Sequence, residues 1–222
     1  MKKLFAEAIV KFTAGVVLLG ALIFLPAGTL DYFGGWLLMG ILFVPMFAAG
    51  LVMLAKNPGL LRSRLDAKEK LGEQAMVVKL SGLMFLTGFV LAGLDYRFGW
   101  LQFGKNVQLL GGAAFLGAYV LYAEVLRENT WLSRTIEVQE NQTVVSTGLY
   151  GIVRHPMYTA TVVLFLAMPV VLGSGAAVPV FCLYPLIIAR RIQSEETFLE
   201  ANLPGYREYK KKVKYRLIPF VW

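Results

Sequence analysis

Two short constellations carry most of the side chains in this 222-residue chain that could do chemistry. The first is Gly148-Leu149-Tyr150-Gly151-Ile152-Val153-Arg154-His155-Pro156-Met157-Tyr158, which holds the only histidine. Pro156 suits the first turn of a helix, where its missing N–H costs nothing, so the residues before it sit beside free backbone N–H groups. A helix start of this kind can receive an anionic group. The plain alternative is that Arg154 snorkels and His155 caps the helix. The second constellation is Arg190-Arg191-Ile192-Gln193-Ser194-Glu195-Glu196. Arg191 and Glu195 are four residues apart and share a helix face, as do Ile192 and Glu196. On a solvated surface such a pair contributes only tenths of a kcal/mol. Where a helix leaves a bilayer, a paired glutamate could instead bind a cation or a ribose. With one histidine and the single cysteine Cys182, a tetrahedral metal site lacks ligands. The Gly-x-Ser-x-Gly, Walker and Gly-x-Gly-x-x-Gly patterns do not occur in the sequence.

What lies between the two constellations must bring them together. Residues 155–189 contain no Asp, Glu, Lys or Arg, a run too long for one membrane helix and short for two full ones. Gly173-Ser174-Gly175 near its middle predicts a hairpin of helices over 156–172 and 176–192, kinked at Pro169, Pro179 and Pro185. A hairpin returns the chain to the side it left. The His-Pro turn, several tyrosines, Arg191, Glu195 and Glu196 would then meet in one pocket floored by apolar helix.

Upstream, the charge-free stretches 12–30, 32–55, 80–94 and 106–123 each fit one spanning helix. With 57% apolar and only 16% charged residues, a typical soluble enzyme, a disordered chain and a disulfide scaffold are excluded. The long unbroken runs argue against a transmembrane β-barrel. The first run reads as a retained helix rather than a leader, because it is long and Lys11 interrupts it. Of the 22 Lys and Arg residues, 20 fall in alternate inter-span segments, leaving only Arg97 and Lys105 for the others. That alternation predicts six crossings with both termini cytoplasmic. It also assigns the net charge of +8 to topology and membrane lipid headgroups rather than to nucleic acid. On the cytoplasmic side, the β-prone pieces 135–138 and 143–145 around Asn141 suggest a small hairpin. Residues 195–203 read as helix, and Tyr206 and Tyr209 share a face beyond it. The small-residue pairs Gly88/Ala92 and Ala114/Ala118 are expected to serve packing within the monomer. The expected architecture is an all-α integral membrane protein of about six helices. Residues 1–126 form a four-helix scaffold, and 127–222 form a catalytic, cofactor-binding region ending in the hairpin and a cytosolic tail.

Over residues 127–219 the chain resembles the isoprenylcysteine carboxyl methyltransferase family and its phospholipid methyltransferase relatives. The residues that carry the resemblance are Gly148-Leu149-Tyr150, Arg154-His155-Pro156-Met157-Tyr158, Arg191 with Glu195-Glu196, Tyr206-Arg207-Glu208-Tyr209 and Arg216-Leu217-Ile218-Pro219. Val138-Gln139 and Thr143-Val144-Val145-Ser146-Thr147 also look like family sequence. The resemblance implies a membrane methyltransferase using S-adenosyl-L-methionine on a lipophilic acceptor, a prenylcysteine carboxylate or a phospholipid amine. It implies cofactor contacts from Gln139, Gln142, Thr143, Val144, Val145, Tyr150, His155, Pro156, Met157, Tyr158 and Glu195. It also implies substrate binding by Arg191. The catalytic set expected is Arg191, Glu195 and Glu196, with Glu196 as the base if an amine must lose a proton. An in-line methyl displacement needs positioning and exclusion of water rather than a metal or a covalent intermediate. Competing readings are an NADPH-dependent sterol-type reductase and a non-enzymatic transporter.

Overall fold

The computed structural model describes residues 2–65, 72–129, 131–132 and 137–222. Four long helices come first: α1 (Lys2–Ala27), α2 (Phe33–Lys56), α4 (Gly72–Phe98) and α5 (Lys105–Glu128), with the short α3 (Pro58–Leu65) after α2. Each of the four is long and apolar enough to cross a membrane. Many of their large apolar side chains face outward, including Val17, Leu25, Val44, Leu110 and Val120. A water-exposed bundle would not leave such a belt uncovered. The chain is an all-α membrane protein, with no strand among the described residues.

The hairpin follows. Its first arm, α6 (Pro156–Leu172), has the predicted limits, with Pro156 in its first turn and Gly173 in the left-handed conformation just past its end. Its second arm differs from the expected 176–192 helix. It breaks into α7 (Val178–Phe181) and α8 (Tyr184–Asn202), which runs ten residues further. Pro179 and Pro185 do not kink a continuous helix; each stands in the first turn of a new one, where no N–H is needed. α6 is shorter than the four spanning candidates.

Successive long helices reverse direction, as α1 with α2 and α5 with α6, while α1 and α4 pack in parallel with Gly93 against Ile23, so the bundle has two distinct ends. At one end, Tyr32 donates from its hydroxyl to the Leu172 carbonyl at 2.7 Å, and Gly175 N–H donates to the Leu101 carbonyl at 2.7 Å. Gly34 permits this approach, since a β-carbon there would lie 2.6 Å from the Leu172 oxygen. The hairpin turn is thereby tied to the starts of α2 and α5. Arg97 and Lys105 lie at this end. An aromatic core fills the middle: Phe85 meets Phe165 at 4.7 Å and Phe89 meets Phe181 at 5.5 Å between ring centres, both edge-on. Gly88 packs against Phe181, so this small residue serves the monomer's own interior, and Ala92 and Ala118 are buried there too; Ala114 is exposed. The opposite end gathers the close of α5, the start of α6, the close of α8, α9 (Tyr206–Lys212) and the tail.

Candidate functional site

At that second end a cavity opens between the segments on either side of the hairpin. Its wall includes Gln142, Thr143, Val144, Val145, Tyr150, His155, Met157, Tyr158, Arg191 and Glu195. The hairpin thus does what its length suggested, and the two constellations share one cavity.

Local chemistry explains how each piece is set. Gly148 adopts φ +49°, and a β-carbon there would fall 1.3 Å from Glu128 Oε1. Glu128 Oε2 accepts the Leu149 N–H at 2.9 Å, so the glycine lets the end of α5 grip the turn over Gly148–Gly151. Tyr150 follows, buried; its hydroxyl accepts from Asn129 Nδ2 at 2.9 Å and its carbonyl accepts the Tyr209 hydroxyl at 2.8 Å. Burial pushes the Tyr150 phenol up to about 12, so it acts as a neutral group. Burial likewise raises Tyr206 and Tyr209, assisted by nearby carboxylates for Tyr206 and by Tyr150 for Tyr209.

On α8 the cavity is met by Arg191, Glu195, Leu199 and, at the helix end, Leu203, every fourth residue. This stripe runs about 18 Å at 1.5 Å per residue and changes from charged to apolar along its length. At its charged end the Tyr158 hydroxyl joins both helices: it donates to Glu195 Oε2 at 2.6 Å and accepts from Arg191 Nε at 2.8 Å. Glu195 keeps 22% of its side chain accessible, so its second oxygen can receive a ligand donor. At the apolar end Leu199, Leu203, Tyr206, Tyr209 and Val144 pack together with Val138 and Val213. The Tyr206 hydroxyl, buried in this wall, finds no hydrogen-bond partner among the described residues.

Glu196 sits differently. Only 3% of its side chain is accessible, and it does not line the cavity. Its Oε1 accepts from Arg154 Nε at 2.6 Å and lies 3.2 Å from His155 Nε2. Its Oε2 accepts from Arg216 Nε at 3.0 Å and lies 3.6 Å from Lys210 Nζ. Burial alone would raise this carboxyl, but the hydrogen bonds and charges of His155 and Arg154 outweigh it and hold the group well below the usual carboxylate range. A buried carboxylate so paired cannot take a proton near neutral pH. The expected role of Glu196 as a base is therefore corrected: it is the node that fastens the Arg-His-Pro turn to α8, α9 and the tail. Arg154 is buried rather than snorkelling, and donates from Nη1 to the carbonyls of Val213 and Lys214. His155 stands at the helix start without a side-chain capping bond. The backbone N–H groups of Arg154 and His155 donate to the carbonyls of Tyr215 and Arg216, so the tail pairs with the two residues that lead into α6.

Two further expectations change. Gln139 does not reach the cavity: its side-chain amide donates to the Trp131 carbonyl, and its N–H donates to Gln142 Oε1 at 2.8 Å. Pro156 starts α6 from a buried position outside the lining. The segment 137–145 forms a turn closed by Gln142 N–H to the Gln139 carbonyl, with Asn141 at φ +60°; the 135–136 part of the predicted hairpin lies outside the described residues. Residues not singled out from sequence also line the cavity, among them Asn129, Trp131, Leu199 and Leu203, and so do Tyr206 and Tyr209, which the sequence marked without assigning them to the site. The spacing of Leu199 four and Leu203 eight residues beyond Glu195 was a usable signal. For Asn129 and Trp131 the sequence carried none.

Fold and site together define a helical membrane protein with a mixed polar and aromatic cavity at one end of its bundle. Residues 110–201 match the model of the isoprenylcysteine carboxyl methyltransferase (ICMT) family. The match runs from α5 to the end of α8 and so takes in the helices that frame the cavity, and the resemblance holds over that segment. Among curated proteins, the chain is similar to the mouse (Mus musculus) Delta(14)-sterol reductase TM7SF2, 32% identical over 91 residues. That stretch is 40% of this chain and 22% of the reductase. The chain is also similar to the cobalt-zinc-cadmium resistance protein CzcN of Cupriavidus metallidurans, 29% identical over 83 residues, 37% of this chain and 38% of that protein. Each alignment therefore spans well under half of the relative's length.

Proposed function

We propose that the protein is a membrane methyltransferase that uses S-adenosyl-L-methionine and acts on a lipophilic acceptor bearing a carboxylate, of the prenylcysteine type. The observation that carries this reading is the joined set Tyr158, Arg191 and Glu195 inside one cavity, within the segment that matches the methyltransferase family. The lining suits the cofactor: a partly accessible carboxylate for hydroxyl or amino donors at one end, an apolar and aromatic wall at the other. When bound there, the cofactor supplies a sulfonium methyl group already activated for transfer. Glu195 would accept hydrogen bonds from it, and residues 142–145, Tyr150, His155, Met157 and Tyr158 would wall it from water. Arg191 would orient the acceptor carboxylate with its guanidinium fork. Such an acceptor is ionised at neutral pH and needs no base, which accords with Glu196 being locked in ion pairs. In this reading residues 1–126 are the membrane scaffold and 127–222 the catalytic region. Both termini are cytoplasmic, six segments cross, and the acceptor enters sideways from the bilayer.

Titration of the purified protein with S-adenosylhomocysteine and, separately, with NADPH tests the cofactor. Binding of the former supports the reading; binding of NADPH alone would replace it with the reductase reading that the sterol reductase likeness favours. Glu195→Gln and Arg191→Ala are each expected to abolish methyl transfer while the protein still inserts and folds. Near-wild-type turnover in both would sink the assignment.

A further inference from the structure

The cavity wall contains one polar atom with nothing to do. The Tyr206 hydroxyl is buried, with the residue only 4% exposed, and finds no partner among the described residues. Buried hydroxyls are nearly always satisfied, because leaving one unpaired carries its full desolvation cost. Of the groups around it, Leu199, Leu203, Val138 and Val144 are apolar, the Tyr209 hydroxyl is already spent on the Tyr150 carbonyl, and the Glu195 and Glu196 carboxylates act on it through charge without a hydrogen bond. The phenol is held neutral by its surroundings, so it keeps its proton and can donate. It packs beside the apolar end of the α8 stripe, with the Glu195 carboxylate close enough to act on it through charge.

A ligand that satisfies Tyr206 must present a hydrogen-bond acceptor on an otherwise flat, apolar face. An aromatic nitrogen heterocycle does so; a carboxylate, a sulfonium or a sugar does not suit aliphatic walls. Resting on the cofactor reading above, we infer that Tyr206 is a binding residue for the nucleobase: its hydroxyl donates to a ring nitrogen of the adenine. The base lies among Leu199, Leu203 and Val144. The orientation follows. With the base at the tail end, the sulfonium end points along α8 toward Arg191 and the membrane, where a lipophilic acceptor arrives.

The test is calorimetric binding of S-adenosylhomocysteine to the full-length protein in micelles, wild type against Tyr206→Phe, with melting of both ligand-free proteins. One neutral hydrogen bond corresponds to about three- to tenfold weaker binding in the variant. The ligand-free variant should melt at or above the wild-type temperature, since the hydroxyl removed had no partner. Analogues in which one ring nitrogen of the base is replaced by C–H locate the acceptor: one of them should bind both proteins equally. If wild type binds and Tyr206→Phe binds as tightly, or every analogue keeps the difference, the nucleobase assignment is wrong while the cofactor reading stands. A ligand-free variant that melts clearly lower makes the hydroxyl structural and overturns the assignment. Failure of wild type to bind S-adenosylhomocysteine at all overturns the cofactor reading and this inference with it.

Discussion

Each end of the bundle buries a carboxylate, and the two are satisfied by different kinds of partner. At the end away from the cavity, Asp95 is fully buried in the last turn of α4. It accepts from neutral donors: the Ser174 hydroxyl at 2.6 Å, the Leu101 N–H at 2.8 Å and the Ala176 N–H at 3.3 Å. At the cavity end Glu196 is met by Arg154, Arg216, Lys210 and His155. Neutral donors close to a carboxylate hold one turn in one shape, and Asp95 does that for the turn of the hairpin. Basic side chains reach further, so Glu196 ties four segments together and builds a wall. The lesson concerns Glu195, one residue earlier on the same helix. A step of one residue turns a side chain by about 100°, and that rotation separates a partly accessible carboxylate facing a cavity from a buried one holding the cavity in place.

The largest effect should come from breaking the charged end. Glu196→Gln leaves Arg154 buried without its counter-charge, and loss of one partner of a buried ion pair costs about 3 kcal/mol or more. Unfolding in detergent should show that loss, together with release of the tail. An unchanged midpoint would mean that the ion pairs at this end do no more than the neutral bonds at the other. Next comes Asp95→Ala, which strands three donors and should cost about 1–3 kcal/mol. On the proposed function, its affinity for S-adenosylhomocysteine should stay at the wild-type value, since the damage lies at the far end; a parallel loss of binding would show that the two ends are not independent.

Acid gives the smallest and most graded effect. The folded Glu196 carboxyl titrates well below its unfolded value of about 4.3, so the folded state holds the proton less tightly. Its contribution is whole above that value and fades as the pH falls through the folded pKa. The stability gap between wild type and Glu196→Gln should therefore narrow on acidification. A gap that widened would refute the sign.

Much of the site was legible because its determinants are local. Pro156 and Gly173 marked the limits of α6, and the charge-free run 155–189 implied that the His-Pro turn and Arg191 would meet in one pocket. Gly148 was recognised by motif, although its reason, the Glu128 carboxylate in the place of a β-carbon, lies 20 residues upstream. The misreadings are of the opposite kind. Gln139 belongs to the same short segment as Gln142, yet their side chains part company when the turn closes. Pro179 and Pro185 look alike as kinks or as starts until the path of the chain is known.

The sequence by itself determined the membrane class, the four long helices, the hairpin and the shared helix face of Arg191 and Glu195, because hydropathy, proline and an i+4 spacing act within a few turns of chain. Tertiary structure alone decided which of the two adjacent glutamates faces the cavity, what pairs with the two residues that lead into α6, and that the Tyr206 hydroxyl is left over. Those outcomes depend on the tail folding back across about 60 residues to meet Arg154, and the cost of an unpaired buried group is fixed only when every neighbour has arrived.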